Sequence, residues 1–538
     1  MDAEHRVSGQ RVIVVGAGLS GLATALRAAE MGRQVTVFES SDLVGGAAAY
    51  SGGQVWVGAN HVAAAEGITD DVELAESYVR SIAHAYPDLL DEDAMRRWLT
   101  TAPRAMRHWE DVGAVRWTLI RGLADYHADA PGALSDGRYL TGEPVGGNTL
   151  GTCRDRLRVS PYFSMGTTYA DLFASGRRNA AARKDEDGEL TFGTGLVAGF
   201  LARTMASPTV EILLSHRVTE LILDDDHRVS GVLANGPAGL VQRFGAVVLA
   251  TSTYDWNPDL VTRFLGLGPE DFGSLAPDTL RGDGIRLAES VGGGIVTIPA
   301  SSVPLVPGWH APGGATFENG PEYAMPHAMV VDYTGRRFCD DSYWVDIVPK
   351  VTNREDPHRP FFLICDEQHH RKYGLGSTPP AGDYPRDVVT SAQTLRELGA
   401  ALGIDGEQLE ATAADFNRYA HEGRDPQFGR GSVEFIRRFS GDPSHRPNPV
   451  LGPIAQPPFH GLRLRLLGTG IGSSGVRIDG NGHVLTQDGA VVPNLYAVGS
   501  CAGATTFGSG YNSGFALGRG LTLAYLVADE LGSISRGA

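Results

Sequence analysis

A glycine run near the start of the chain has the types and spacing to hold an anion. It reads Gly16-Ala17-Gly18-Leu19-Ser20-Gly21, and Glu39 closes the next apolar run. Gly16 permits a tight turn, Gly18 lets backbone N–H groups approach a pyrophosphate, and Gly21 lets a helix pack closely on a strand. The helix start adds unpaired N–H groups and the positive end of its dipole. Glu39 can accept hydrogen bonds from a ribose hydroxyl. The chemistry is dinucleotide binding. A second glycine cluster, Gly45-Gly46 and Gly52-Gly53, follows at once. A nicotinamide dinucleotide needs no such cluster beyond the ribose acid. A flavin does, because its phosphates, ribitol and ring run further along the sheet edge, so the expected cofactor is FAD.

These residues need particular elements to position them. RVIVV at 11–15 is β-branched and reads as a buried parallel strand. LATALRAAEMG then has helical spacing at Leu22, Ala25 and Leu26, with a stop at Gly32, and QVTVFE is a second strand ending on Glu39. AVVLAT at 246–251 and NLYAVGSCAG at 494–503 are further strands that can bring backbone to the same cofactor. EILLSHRVTELILDDDHRVSGVLANG alternates like an antiparallel pair with turns at DDDH and NG. Residues 66–112 read as acidic surface helices, 182–190 as a charged loop and 390–421 as one helical stretch; from about 300 to 470 the chain is rich in Pro and Gly with short strands such as HAMVVDY and FFLICD.

Composition narrows the function classes. The chain has 538 residues, 42% of them apolar and 20% charged, with a net charge of −17. Length predicts several domains, and the apolar fraction excludes wholesale disorder. The acidic balance argues against a nucleic-acid partner. No apolar run reaches the length of a transmembrane span, and the N-terminal residues do not read as a secretory signal. A cytoplasmic location, free or associated with a membrane surface, is expected. Cys153, Cys339, Cys365 and Cys501 form no CxxC pair, so reduced thiols and no metal site are expected.

The GxGxxG–Glu start, the GGAAAYSGG stretch and the NLYAVGSCAG ending together resemble the FAD-dependent 3-ketosteroid dehydrogenases of the fumarate reductase and succinate dehydrogenase flavoprotein superfamily. The resemblance covers nearly the whole chain. It implies an α/β fold: a Rossmann-like FAD-binding domain, with a parallel sheet plus a small antiparallel sheet, made from 1–298 and 470–538, and an inserted α+β catalytic domain at 299–469. It implies cofactor contacts from Gly16, Gly18, Leu19, Ser20 and Gly21 in the first turn, and from Glu39 and Ser40 at the ribose. Gly45, Gly46, Ala47, Ser51, Gly52 and Gly53 follow. Val218 would meet the adenine by its backbone, and Ala250, Thr251, Gly499, Ser500, Gly514 and Leu517 complete the set.

Within that superfamily, side chains decide the reaction. The dicarboxylate reductases carry a histidine near the stretch that here reads Gly468-Thr469-Gly470-Ile471-Gly472, and no histidine is present. Tyr511-Asn512-Ser513-Gly514 resembles the Tyr-x-Ser-Gly of the enzymes that desaturate a steroid ring at the 4,5 bond. GRRFCDDSYWVD resembles the 1,2-type stretch whose tyrosine is the general base, which implies that role for Tyr343. LADYHADAPG resembles the 1,2-type segment with a supporting tyrosine, here Tyr126. FNRYAHEGRDPQFGRG is also of the 1,2 kind, so the bond position stays open between the two. The expected reaction places Tyr511 and the Gly514 N–H on a ketone oxygen, as an oxyanion hole does. Tyr343 takes the α-proton and a hydride passes from the β-carbon to the flavin, leaving an α,β-unsaturated ketone. The alternative is an ene-reductase of the fumarate reductase type acting on an unsaturated acid or ketone. The expected partners are a cyclic ketone, a steroid or smaller, and an electron acceptor such as a quinone or oxygen.

Overall fold

The computed structural model describes residues 11–175 and 188–533. Part of the charged loop read at 182–190 lies outside them. The chain divides into two compact units. The first comprises Met1–Asn257, Ala276–Ile298 and Gly470–Ala538, and the second Pro258–Leu275 and Pro299–Thr469. The segment 258–275, read from the sequence with the first domain, belongs to the second unit because Phe272–Ser274 runs parallel to the strand Phe459–Gly468, with Phe272 opposite Leu466.

The first unit is built on a six-stranded sheet. Its strands are β1 (Arg11–Val15), β2 (Gln34–Phe38), β3 (Val210–Leu213), β4 (Ala246–Leu249), β5 (His483–Leu485) and β6 (Val491–Ala497), in the spatial order β5-β6-β4-β1-β2-β3. All neighbours are parallel except the edge pair β5 and β6. β1 is inaccessible at Ile13 and Val14, as expected for a strand covered on both faces. The helix Leu19–Glu30 buries Leu22, Ala25 and Leu26, the positions that set its sequence period. The final helix Phe515–Ser533 packs against it and is buried along most of its length.

The segment from 210 to 244 splits differently from the sequence reading. Residues 210–213 join the parallel sheet as β3. Arg217–Leu223, Val229–Gly236 and Gly239–Phe244 form a separate three-stranded antiparallel sheet. The helices Val72–Ile82 and Glu92–Asp111 are amphipathic rather than surface-only, since their inner faces bury Tyr78, Met95, Trp98, Met106 and Trp109.

The second unit centres on the long strand Phe459–Gly468, which pairs with Val306–His310, Phe361–Asp366 and Thr390–Ala392. The stretch 390–421 is a strand and two helices, Leu395–Leu402 and Gly406–Glu422. The break comes at Gly403, left-handed at φ 75°, and at Asp405, whose side chain caps the next helix by accepting from Glu407 N–H at 2.9 Å. Both helices pack over Met329, Val331, Phe362 and Ile364 in one apolar core. Among the described residues no helix is long and apolar enough to cross a membrane.

Candidate active site

At the carboxyl end of β1 the chain turns at Gly16 with φ 113°, its N–H donating to the Phe38 carbonyl at 2.7 Å. A Cβ on Gly16 would strike the Ala250 carbonyl just past β4, and one on Gly21 would strike the Gly16 carbonyl. The turn is therefore open on one side only. Gly18 begins the helix with no side chain capping its N–H groups. Gly45 bridges back to this turn, its N–H donating to the Ala17 carbonyl at 3.0 Å. The two glycine clusters thus meet in space. β4 and β6 end beside them, since Ala250 N–H donates to Val15 O at 2.8 Å and Val498 N–H to Leu249 O at 2.9 Å. Thr251 donates its hydroxyl to Cys501 Sγ at 3.4 Å, tying those two ends together.

Glu39 is buried and accepts from Ala17 N–H at 2.9 Å, from Ser41 N–H at 2.9 Å and from the Ser40 hydroxyl at 3.3 Å. Burial raises its pKa, and those donors oppose the rise. Arg158 lies close by: it donates to the Ser41 hydroxyl at 3.0 Å, its charge favours ionised Glu39, and its buried Nε meets no acceptor among the described residues. The sequence reading missed Arg158, which no motif marks. Its unmet donor, the glycine cradle and the uncapped helix start all suit an anionic dinucleotide, so the residues fit FAD. Val218 sits buried on the antiparallel sheet opposite Ala234, and Gly52 holds the Tyr169 hydroxyl at 2.9 Å through its carbonyl.

A second cluster gathers around the loop that precedes the final helix. Tyr511 and Tyr126, far apart in sequence, meet edge to face with ring centroids 6.4 Å apart. Phe507 and Phe515 flank Tyr511 at 6.2 and 6.3 Å. Burial pushes the Tyr511 phenol well above its usual value of 10.0. Its O–H therefore stays a hydrogen-bond donor throughout the neutral range. Gly514 has φ 81°, and a Cβ there would press on the Trp56 backbone nitrogen at 2.6 Å. Its carbonyl accepts from Trp56 N–H at 3.2 Å, while among the described residues no acceptor meets its own N–H. Ser513 donates its hydroxyl to Gln54 Oε1.

Asn512, fully buried, holds this cluster and was not singled out by the sequence reading. Its Oδ1 accepts from the Tyr78 hydroxyl at 2.7 Å and from Tyr126 N–H at 2.8 Å. Its Nδ2 donates to the Tyr139 hydroxyl at 2.8 Å and to the Ser513 carbonyl at 2.9 Å. Behind Tyr126, the buried Asp125 accepts from Trp56 Nε1 at 2.7 Å and from Arg138 at 2.9 Å, and Arg138 also grips Asp70 at 2.7 Å. A buried charge set satisfied at each end makes a stiff support. Arg519, on the final helix, is buried and donates to the carbonyls of Ala502 at 3.2 Å and Gly503 at 2.6 Å, and burial lowers its pKa to about 10. Tyr343 belongs to the second unit. It is the buried N-cap of the helix Trp344–Val351, and its carbonyl accepts from Asp346 N–H at 3.0 Å.

A parallel sheet whose strand ends meet at two glycine clusters, with the loop before the final helix hydrogen-bonded to Gln54 just past the second cluster, is the frame of a flavin-dependent oxidoreductase. The family described as FAD binding domain matches residues 11–518, and the chain belongs to it. It is 30% identical to the 4-oxocyclohexanecarboxylate 2-dehydrogenase of Sinomonas cyclohexanicum over 556 residues, covering 98% of this chain and 93% of that one. It is 26% identical to the 3-oxosteroid 1-dehydrogenase of Mycobacterium tuberculosis over 573 residues, covering 97% and 98%. The fold matches the crystal structure of the 3-ketosteroid delta1-dehydrogenase from Sterolibacterium denitrificans with a TM-score of 0.88 at 23% identity, over 98% of this chain and 100% of that one. The cofactor is FAD.

Proposed function

We propose that the chain desaturates a cyclic ketone, removing hydrogen from the α- and β-carbons beside the carbonyl. The observation that carries the reading is a pair of donors three residues apart on one loop: the Tyr511 O–H, kept protonated by burial, and the Gly514 N–H, which no acceptor meets among the described residues. Two such donors on one carbonyl oxygen stabilise the enolate that develops as an α-proton leaves. The names of two relatives support the substrate class. One places the oxo group at ring carbon 4 and dehydrogenation at carbon 2; the other places them at carbons 3 and 1. In both the named carbon lies two atoms from the carbonyl, the β-position.

The glycine clusters, Glu39 and Arg158 hold the FAD, and bound FAD supplies the hydride-accepting chemistry. Tyr511 and Gly514 polarise the ketone. Tyr126, fixed by Asn512 through its backbone, keeps the Tyr511 ring in place. Tyr343 is assigned the α-proton on the strength of its motif, and a phenol can do this only if a neighbouring donor eases its ionisation. A six-membered ring ketone is the substrate class, and a 3-oxosteroid or a 4-oxocyclohexanecarboxylate are the forms to try. A quinone or oxygen takes the electrons afterwards, and the cytoplasm is the proposed compartment.

Anaerobic titration of the yellow protein with 4-oxocyclohexanecarboxylate, cyclohexanone and 4-androstene-3,17-dione tests this. Bleaching of the visible flavin band by at least one of these three ring ketones, with no added reductant, is the expected result. An oxidised spectrum after every ketone, with turnover only of an unsaturated acid by pre-reduced protein, would replace desaturation by ene reduction.

A further inference from the structure

The second unit contains a cluster of metal-ligating side chains that belongs to none of the motifs above. We propose that Glu367, His370 and His460 bind a divalent transition-metal ion of the Zn2+ class. Glu367 and His370 lie at i and i+3 on the helix Glu367–Tyr373, and so share a face. His460 stands on the strand Phe459–Gly468, opposite Cys365 on one side and Ser391 on the other. One ligand atom from each of the three lies within 4.8 Å of the others.

The hydrogen bonds around the three leave one nitrogen of each imidazole to the cluster. His370 Nε2 is 2.8 Å from the Gly382 carbonyl, which can only accept, so that nitrogen carries the proton. His370 Nδ1 then presents its lone pair to Glu367 Oε2 at 2.9 Å. Two acceptors at that distance require a proton or a cation between them. His460 Nδ1 is 2.8 Å from the Ser391 hydroxyl. His460 Nε2 belongs to a residue only 4% exposed, makes no hydrogen bond, and lies 3.6 Å from Glu367 Oε2. A buried nitrogen in the cluster with no contact of hydrogen-bond length is the second observation that marks a ligand site.

The distances suit an ion. Bonds of about 2.0–2.2 Å to nitrogen and oxygen allow two ligands of one metal to stand up to ~4.2 Å apart. The 2.9 and 3.6 Å separations fall inside that span, and the remaining pair closes by small side-chain shifts. The outer shell is also complete. Each imidazole has a partner for its far nitrogen, and Arg371 donates to Glu367 Oε1 at 2.6 Å, leaving Oε2 to the metal. Two imidazoles and one carboxylate are a borderline donor set, suited to Zn2+ and its neighbours rather than to Mg2+ or Ca2+. Glu367 and His370 are partly exposed, which gives the ion a path in and room for a water as fourth ligand. Bound there, the ion clips the helix to the central strand, far in sequence from the Tyr511 loop.

The test uses tag-free, full-length, FAD-loaded protein stripped with a chelator and titrated with ZnCl2 by calorimetry, with metal content measured after dialysis. One Zn2+ per chain is expected in the wild type. In His370→Gln and in Glu367→Gln the affinity should fall by about a hundredfold or more, with the flavin spectrum unchanged to show that both variants fold. Absence of a stoichiometric ion in the wild type, or equal binding in the two variants, would overturn the proposal. In that case the contact is an ion pair of His370 with Glu367.

Discussion

Replacing Tyr511 by Phe isolates one hydroxyl. The ring keeps its edge contacts with Tyr126, Phe507 and Phe515, at 6.4, 6.2 and 6.3 Å, so packing and FAD binding should survive. Of the two donors proposed for the ketone oxygen, the Gly514 N–H remains. Loss of one oxyanion donor typically slows the step by about 10²–10³, some 2.7–4 kcal/mol. The defect should be constant from about pH 6 to 9, because a phenol pushed above 10 by burial does not ionise there. The assay is anaerobic stopped-flow reduction of the flavin at saturating ketone, which separates the chemical step from binding. A variant that reduces its flavin within about threefold of wild type, under ~0.7 kcal/mol, would refute the donor role of Tyr511.

Three further outcomes follow from the same contacts. Asn512→Ala removes the amide that bonds the buried Tyr78 and Tyr139 hydroxyls and the Tyr126 N–H; at about 0.5–1.5 kcal/mol per lost hydrogen bond, thermal denaturation should show a loss of a few kcal/mol together with slowed flavin reduction. Gly16→Val puts a side chain at φ 113° into the Ala250 carbonyl, so the purified variant should be colourless and should not take up added FAD; a yellow variant contradicts the assigned cradle. His483 sits 2.9 Å from Asp479, which raises the histidine pKa above 6.5 while the histidine lowers the carboxylate below 3.8. A raised folded-state histidine stabilises below its unfolded pKa and loses that stability as pH rises, and the depressed carboxylate loses its share as pH falls. Chemical denaturation should therefore show this pair contributing most between about pH 4 and 6.5, and His483→Gln should flatten that window.

The opening strand, glycine turn and helix were legible because their signal is local. A strand period, three glycines and a helix period lie within one stretch, and Ile13, Leu22 and Glu39 are buried where that pattern requires. Tyr511 and Tyr126 were legible only as motifs; their meeting depends on a loop near the carboxyl end folding against a segment near residue 126. Asn512 was quoted within a motif without a role, because its partners at 78, 126 and 139 lie on three separate segments and no spacing rule connects them. The helical stretch read at 390–421 broke in two because a left-handed glycine and an aspartate cap outweighed the average propensity around them.

Periodicity and glycine placement sufficed for the opening strand, turn and helix and for the parallel strands Arg11–Val15, Gln34–Phe38 and Ala246–Leu249, since each rests on backbone geometry that neighbouring residues dictate. Only tertiary structure decided which unit holds 258–275, which side chain anchors Tyr126, and that His460 faces Glu367 and His370. Strand pairing and buried hydrogen bonds join residues without regard to their separation along the chain, so no window of sequence contains them.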